Sequence, residues 1–119
     1  MKKTKMLKKN YEFNMVFSKG KYYSGKTIEA FILDNKTKNN YLGLAVSTKS
    51  GKAYQRNRVK RLLRESYYSL ENQVKDGYTI IFLWKKKCDI KTAQFYQIQE
   101  DMEKILKNSD ISVKKWENY

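Results

Sequence analysis

The chain has 119 residues, 40% of them hydrophobic, which suits one domain around one core. Its 26 Lys and Arg against 12 Asp and Glu leave a net charge of +14, which calls for an anionic partner, either nucleic acid or a membrane surface. One cysteine and no histidine exclude an internal disulfide, a His–Cys metal constellation and any histidine-based catalytic triad.

Residues 1–9 read as a flexible basic arm, without an apolar run of signal-peptide length. No stretch approaches a membrane span, so the expected compartment is the cytoplasm. Asn10 reads as a helix N-cap, with Phe13, Val16 and Phe17 at helical spacing and Gly20 as a terminator. Lys21–Ser24 is a short extended piece. Residues 27–33 and 41–48 are rich in β-branched and aliphatic side chains, and polar 34–40 joins them, so an antiparallel pair is the simple expectation. The longest helix is predicted over 53–72. Tyr78–Trp84 is almost continuously apolar, as in a strand buried on both faces. Thr92 is the predicted cap of a last helix striped by Phe95, Ile98, Met102, Ile105 and Leu106. The tail, 110–119, is expected to fray, with Trp116 as the one residue able to pin it. The sum is a single α+β domain over 1–119, a sandwich of about four strands and three helices in the order αβββαβα.

The charge is concentrated. Residues 1–64 hold 13 Lys and 4 Arg against Glu12, Glu29 and Asp34, a net +14, whereas residues 65–119 balance to zero. All four arginines, Arg56, Arg58, Arg61 and Arg64, fall within nine residues of a chain that otherwise uses lysine. Guanidinium offers a planar fork for phosphate oxygens and a face that stacks on bases. At about 100° per residue, Val59, Leu62, Leu63 and Leu70 form one stripe, and Arg56, Asn57, Lys60, Arg61 and Arg64 lie opposite, with Arg58 on the flank. Arg56–Lys60 and Lys60–Arg64 are repulsive i, i+4 pairs, and cations near a helix N-terminus oppose its dipole. A helix built against its own electrostatics points to a polyanion, RNA above all.

The stretch Gly51-Lys-Ala-Tyr-Gln-Arg-Asn-Arg-Val-Lys-Arg-Leu-Leu-Arg-Glu65 resembles the Arg-Asn-Arg signature of the protein subunit of bacterial ribonuclease P. The likeness extends over roughly residues 7–107: Leu7 to Phe17 resembles that family's first helix, and Leu42 to Lys49 the strand before its arginine helix. The resemblance implies a fold related to the second domain of a small-subunit ribosomal protein, with a left-handed βαβ crossover. It implies a protein cofactor that binds the catalytic RNA and the 5′ leader of precursor tRNA, and assists removal of the leader. Hydrolysis would belong to the RNA and its Mg²⁺, with no catalytic group or tightly bound metal in this chain and no protein partner required. Carried over by position, Lys49, Lys52, Arg56, Asn57, Arg58, Lys60, Arg61 and Arg64 would bind RNA. Phe13, Phe17 and Phe31 would line the leader cleft, with Lys60 and Arg64 at its edge. Glu29, Ala45 and the run Trp84-Lys-Lys-Lys87 depart from the family pattern, Glu29 standing where an apolar cleft residue is usual.

Other readings stay open at this point. Phe13 and Phe17 could be core and not stacking platforms. A structural RNA-binding module, ribosomal or for assembly, would show the same charge. Ser50-Gly51-Lys52 lacks the upstream glycine of a phosphate loop. Lys85–87 reads as a solvated turn, Cys88 as a passive small residue, and Glu100, Asp101 and Glu103 as surface balance.

Overall fold

The structure, a computed structural model, describes residues 4–112. Five strands, β1 (Thr4–Met6), β2 (Lys21–Ser24), β3 (Ile28–Asp34), β4 (Asn40–Ala45) and β5 (Tyr78–Trp84), form one mixed sheet in the order β1-β4-β5-β3-β2. Three helices accompany it: α1 (Asn10–Lys19), α2 (Ala53–Leu70) and α3 (Phe95–Asn108). The α+β class and the three helices match the expectation; the strand count does not.

The additional strand comes out of the expected basic arm. Thr4–Met6 pairs in parallel with β4, and the buried Thr4 hydroxyl lies 2.9 Å from the Tyr67 hydroxyl. Backbone groups that would need water in a free arm find ladder partners at the sheet edge. Residues 1–3 lie outside the described ones. The expected pairing of residues 27–33 with 41–48 is also replaced. β5 lies between the two strands, antiparallel to β3 and parallel to β4. Tyr78–Trp84 is apolar on both faces, and the middle of a sheet covers both. α2 is therefore the crossover that carries the chain from β4 to its parallel neighbour.

Alternation sorts the strands into two faces. On one, Ile28, Ala30, Ile32, Leu42, Ile80, Phe82 and Trp84 form a single core with Val59, Leu63, Tyr67 and Leu70 of α2 and Ile98, Met102, Ile105 and Leu106 of α3. Polar contacts lock its rim. The Asn40 side-chain Oδ1 accepts from the Gly77 and Tyr78 amides at 2.7 and 3.0 Å, joining the starts of β4 and β5. Gly77 has φ +95, and a Cβ there would stand 2.7 Å from the Thr37 carbonyl oxygen. Asp101 is not a surface acid: its side chain is buried, with one oxygen accepting from the Thr27 amide (2.8 Å) and hydroxyl and the other from Gln97 Nε2 (3.1 Å). Those bonds tie α3 to the entry of β3.

The tail is ordered further than its sequence indicates. Ile111 is buried, its carbonyl accepts from the Lys75 amide at 2.8 Å, and Ser112 bridges Val74. Trp116 lies outside the described residues.

Tyr67, 1% exposed, has its phenol pushed up to about 12, chiefly by burial, with the Thr4 and Asn40 hydrogen bonds offsetting part of the rise. In the unfolded chain a tyrosine releases its proton near 10, so the folded form holds an extra proton between about pH 10 and 12. This contribution is intact below pH 10 and is lost as pH rises, by up to about 3 kcal/mol at pH 12. Urea unfolding should show Tyr67→Phe about 1 kcal/mol less stable at pH 8, yet with a shallower decline between pH 10 and 11.5 than the unaltered protein. Equal declines would remove Tyr67 as the cause.

Candidate nucleic-acid interface

α2 starts where Gln55 Oε1 accepts from the Lys52 amide at 2.9 Å, so a neutral side chain and no acid satisfies the first turn. The Arg56 guanidinium folds back to donate to the Gly51 carbonyl at 2.6 Å. Upstream, Ser47 Oγ accepts from the Lys49 amide at 3.2 Å and shapes the turn that presents Lys49 and Lys52. Among the described residues the ion pairs are Lys36–Asp34 and Lys104–Glu100, and none involves α2.

Exposure along α2 differs from the wheel in one respect. Asn57, Arg58 and Arg61 are exposed, as are Lys49 and Lys52, whereas Arg56, Lys60 and Arg64 are half-buried. The cause is Tyr67, which joins the core at a position following Arg56, Lys60 and Arg64 around the helix and widens the buried arc toward them. Arg58, the expected flank residue, is thus one of the two most outward arginines. Long basic stems can cover apolar surface while the charged head reaches water, which suits Lys60 and Arg64, whereas the Arg56 head is held on the Gly51 carbonyl.

The other face of the sheet carries α1. Glu12, and not Asn10, caps this helix: its carboxylate accepts from the Lys9 amide at 3.0 Å and the Lys8 amide at 3.3 Å, and Asn10 is already helical. Val16 is buried, while Phe13 is half-buried and Phe17 is 36% exposed. Phe13 lies on bare backbone, since a Cβ at Gly43 would stand 2.8 Å from its Cε1 and 3.0 Å from the Ile81 side chain. A row of rings then crosses the strands. Phe13 and Phe17 centroids are 6.4 Å apart, Phe17 meets Phe31 edge-on at 5.1 Å, and Phe31 meets Tyr22 at 5.3 Å. None of these four rings belongs to the buried core on the opposite face. The structure therefore brings Phe13, Phe17 and Phe31 together on one surface, apart from the core on the opposite face.

Tyr22 extends this row without having been singled out by the sequence; its only signal was its place in a short extended piece. It pairs with Phe31 in the β2–β3 register, is half exposed, and donates its hydroxyl proton to the Glu29 carboxylate. That hydrogen bond is the main reason its phenol titrates above the ordinary tyrosine range. Among the described residues no three Asp, Glu or Cys side chains group as metal ligands.

A basic helix packs on one face of the sheet and an aromatic row lies on the other, and basic side chains with exposed rings are the parts that single-strand RNA binders combine. The family model for Ribonuclease P matches residues 1–110. The chain belongs to the ribonuclease P protein family. It is the protein subunit of ribonuclease P, the endoribonuclease of tRNA processing. A ribonuclease P protein component from Clostridioides difficile (strain 630) is 38% identical over 112 residues, covering 93% of this chain and 96% of the relative. One from Caldanaerobacter subterraneus subsp. tengcongensis is 39% identical over 105 residues, covering 88% of this chain and 89% of its own. Among solved structures, the Staphylococcus aureus RNase P protein superposes with a TM-score of 0.78 at 28% identity, covering 89% of this chain and 95% of that one. The RNase P protein from Thermotoga maritima gives 0.78 at 25% identity, over 87% and 96%. Among the described residues no helix of the ribonuclease P subunit is long and apolar enough to cross a membrane.

Proposed function

We propose that this subunit docks on the catalytic RNA of ribonuclease P through Lys49, Lys52, Asn57, Arg58 and Arg61, in the cytoplasm. Arg56, Lys60 and Arg64 flank that surface, and the row Phe13, Phe17 and Phe31 holds the single-stranded 5′ leader of precursor tRNA. The observation that carries the reading is the absence of any acidic partner for the α2 cations among the described residues. Like charges crowded at i, i+4 weaken a helix unless something neutralises them, and RNA phosphates do so. Half-exposed rings give bases a stacking surface that tolerates any sequence.

No group of this chain is assigned to hydrolysis. Mg²⁺ keeps most of its waters and takes phosphate oxygens readily, so the ions that serve cleavage would sit on the RNA. The protein's share is to hold the leader and screen its charge, which raises affinity for the precursor over the product.

Phe17→Ala in the reconstituted holoenzyme tests the cleft. Affinity for precursor tRNA carrying a leader of several nucleotides should fall by about 1–3 kcal/mol. Affinity for mature tRNA should stay constant, and the melting temperature should change little, because Phe17 lies outside the main core. Equal losses on both substrates with an early melt would make Phe17 a core residue and end the cleft reading.

A further inference from the structure

Past Tyr22 the aromatic row opens into a cavity of about 540 Å³ lined by Tyr22, Ser24, Glu29, Lys85, Lys86 and Lys87. We propose that Tyr22 and Glu29 form a base-reading subsite that selects guanine in the bound single strand, while Lys85, Lys86 and Lys87 hold the neighbouring phosphate. This rests on the reading that the leader lies along the aromatic row.

Glu29 is the anomaly that carries the argument. Its neighbours on this face of the sheet are Phe31 on its own strand, Leu83 opposite it on β5 and Ser24 opposite it on β2. A carboxylate there repels a phosphate chain unless something offers it protons. It can only accept, and its two oxygens have about four lone-pair sites. Among the described residues Tyr22 fills one of them and no cation pairs with it. The remaining sites face a solvent-open cavity.

The Watson–Crick edge of guanine presents two adjacent donors, N1–H and N2–H, which match two carboxylate oxygens as a fork. Adenine and cytosine each place one amino donor beside a ring nitrogen that repels a carboxylate. Uracil sets its single N–H between two carbonyls. An unstacked base in a single strand exposes this edge for reading. The Tyr22 ring offers the stacking face, and its hydroxyl fixes the carboxylate's orientation.

The lysines make the site tolerable to a phosphodiester. Their turn is tethered and not a loose loop: the Lys85 amide donates to the Thr27 carbonyl at 2.9 Å, the Cys88 amide to the Lys85 carbonyl at 3.1 Å, and Trp84 Nε1 to the Cys88 carbonyl at 3.0 Å. None of the three enters an ion pair among the described residues, so three cations outweigh one carboxylate around the cavity.

The test is competitive cleavage by the reconstituted holoenzyme of precursor tRNAs whose leaders carry all four bases at each position. One position should favour guanine by roughly five- to a hundredfold in kcat/KM over the other bases, the range of a bidentate base contact. Glu29→Gln, which turns one acceptor into a donor, should abolish that preference with the melting temperature kept. Lys86→Ala should slow all leaders alike and reduce the salt dependence by about one contact. A flat profile at every position, or a guanine preference that survives Glu29→Gln, overturns the subsite. If Phe17→Ala lowers the holoenzyme's binding affinity for precursor tRNA and not for mature tRNA, the cleft stands and only the subsite falls. If neither variant responds to the leader, the cleft itself is wrong.

Discussion

Asn40→Ala should remove about 1–5 kcal/mol of stability, at one to three for the buried Gly77 amide and somewhat less for the part-buried Tyr78 amide left without an acceptor. That is a large fraction of the 5–15 kcal/mol typical of a folded domain. Asn40 is 2% exposed, and its side-chain Oδ1 serves both the Gly77 and Tyr78 amides. Asn40→Asp keeps an acceptor in the same place and should be the milder change. The consequence reaches the RNA surface, because the β4–β5 register sets Gly43 beside Ile81 and so forms the floor under Phe13. Urea unfolding of both variants checks the prediction: an alanine variant as stable as the asparagine protein would show that the two amides find other partners.

The parts of this molecule that could be read from its sequence are those whose signal is local. The stripe of α3 is legible because Ile98, Met102, Ile105 and Leu106 recur at helical spacing, and all four are buried. The arginines of α2 are legible because residue choice changes abruptly there. The same local logic fails for Tyr67, which the stripe of Val59, Leu62, Leu63 and Leu70 leaves out but whose ring widens the buried arc and draws Arg56, Lys60 and Arg64 partly under cover. β1 is three residues long and carries an exposed lysine at its centre, so alternation has nothing to work on; its pairing partner is 36 residues away. The insertion of β5 between β3 and β4 is a competition among strands distant in sequence, and only burial on both faces decides it. Asn40 and Asp101 read as loop and surface because polar side chains reveal their role only through the amides and hydroxyls they meet. In the candidate site, the phenylalanines were legible as a set only through family likeness. Tyr22 and Glu29 acquire meaning only from the β2–β3 register that brings Tyr22 against Phe31 and its hydroxyl onto the carboxylate.

Arg58→Ala with Arg61→Ala should weaken binding to the catalytic RNA by two to four orders of magnitude at low salt, from about 1.5–3 kcal/mol for each charge-assisted contact. These two are chosen on geometry. Both are exposed and free of ion pairs among the described residues, whereas Arg56 is already engaged with the Gly51 carbonyl and Arg64 is half-buried. Neither Arg58 nor Arg61 belongs to the core or to the repulsive i, i+4 pairs, so the double variant should melt close to the temperature of the parent. The discriminating readout is the salt dependence. Each phosphate contact contributes a slope of about 0.7–0.9 in log K against log salt, so losing two should flatten the plot by about 1.4–1.8. The affinity gap between parent and variant should then narrow as salt rises, because the contacts removed are those that salt competes with. Arg58→Lys with Arg61→Lys separates charge from fork geometry. It should restore the slope while recovering only part of the affinity, since an ammonium supplies the charge but not the planar bidentate fork. A variant whose affinity drops equally at every salt concentration would mean that these arginines act by packing, and the docking surface would have to be sought elsewhere on the basic half of the chain.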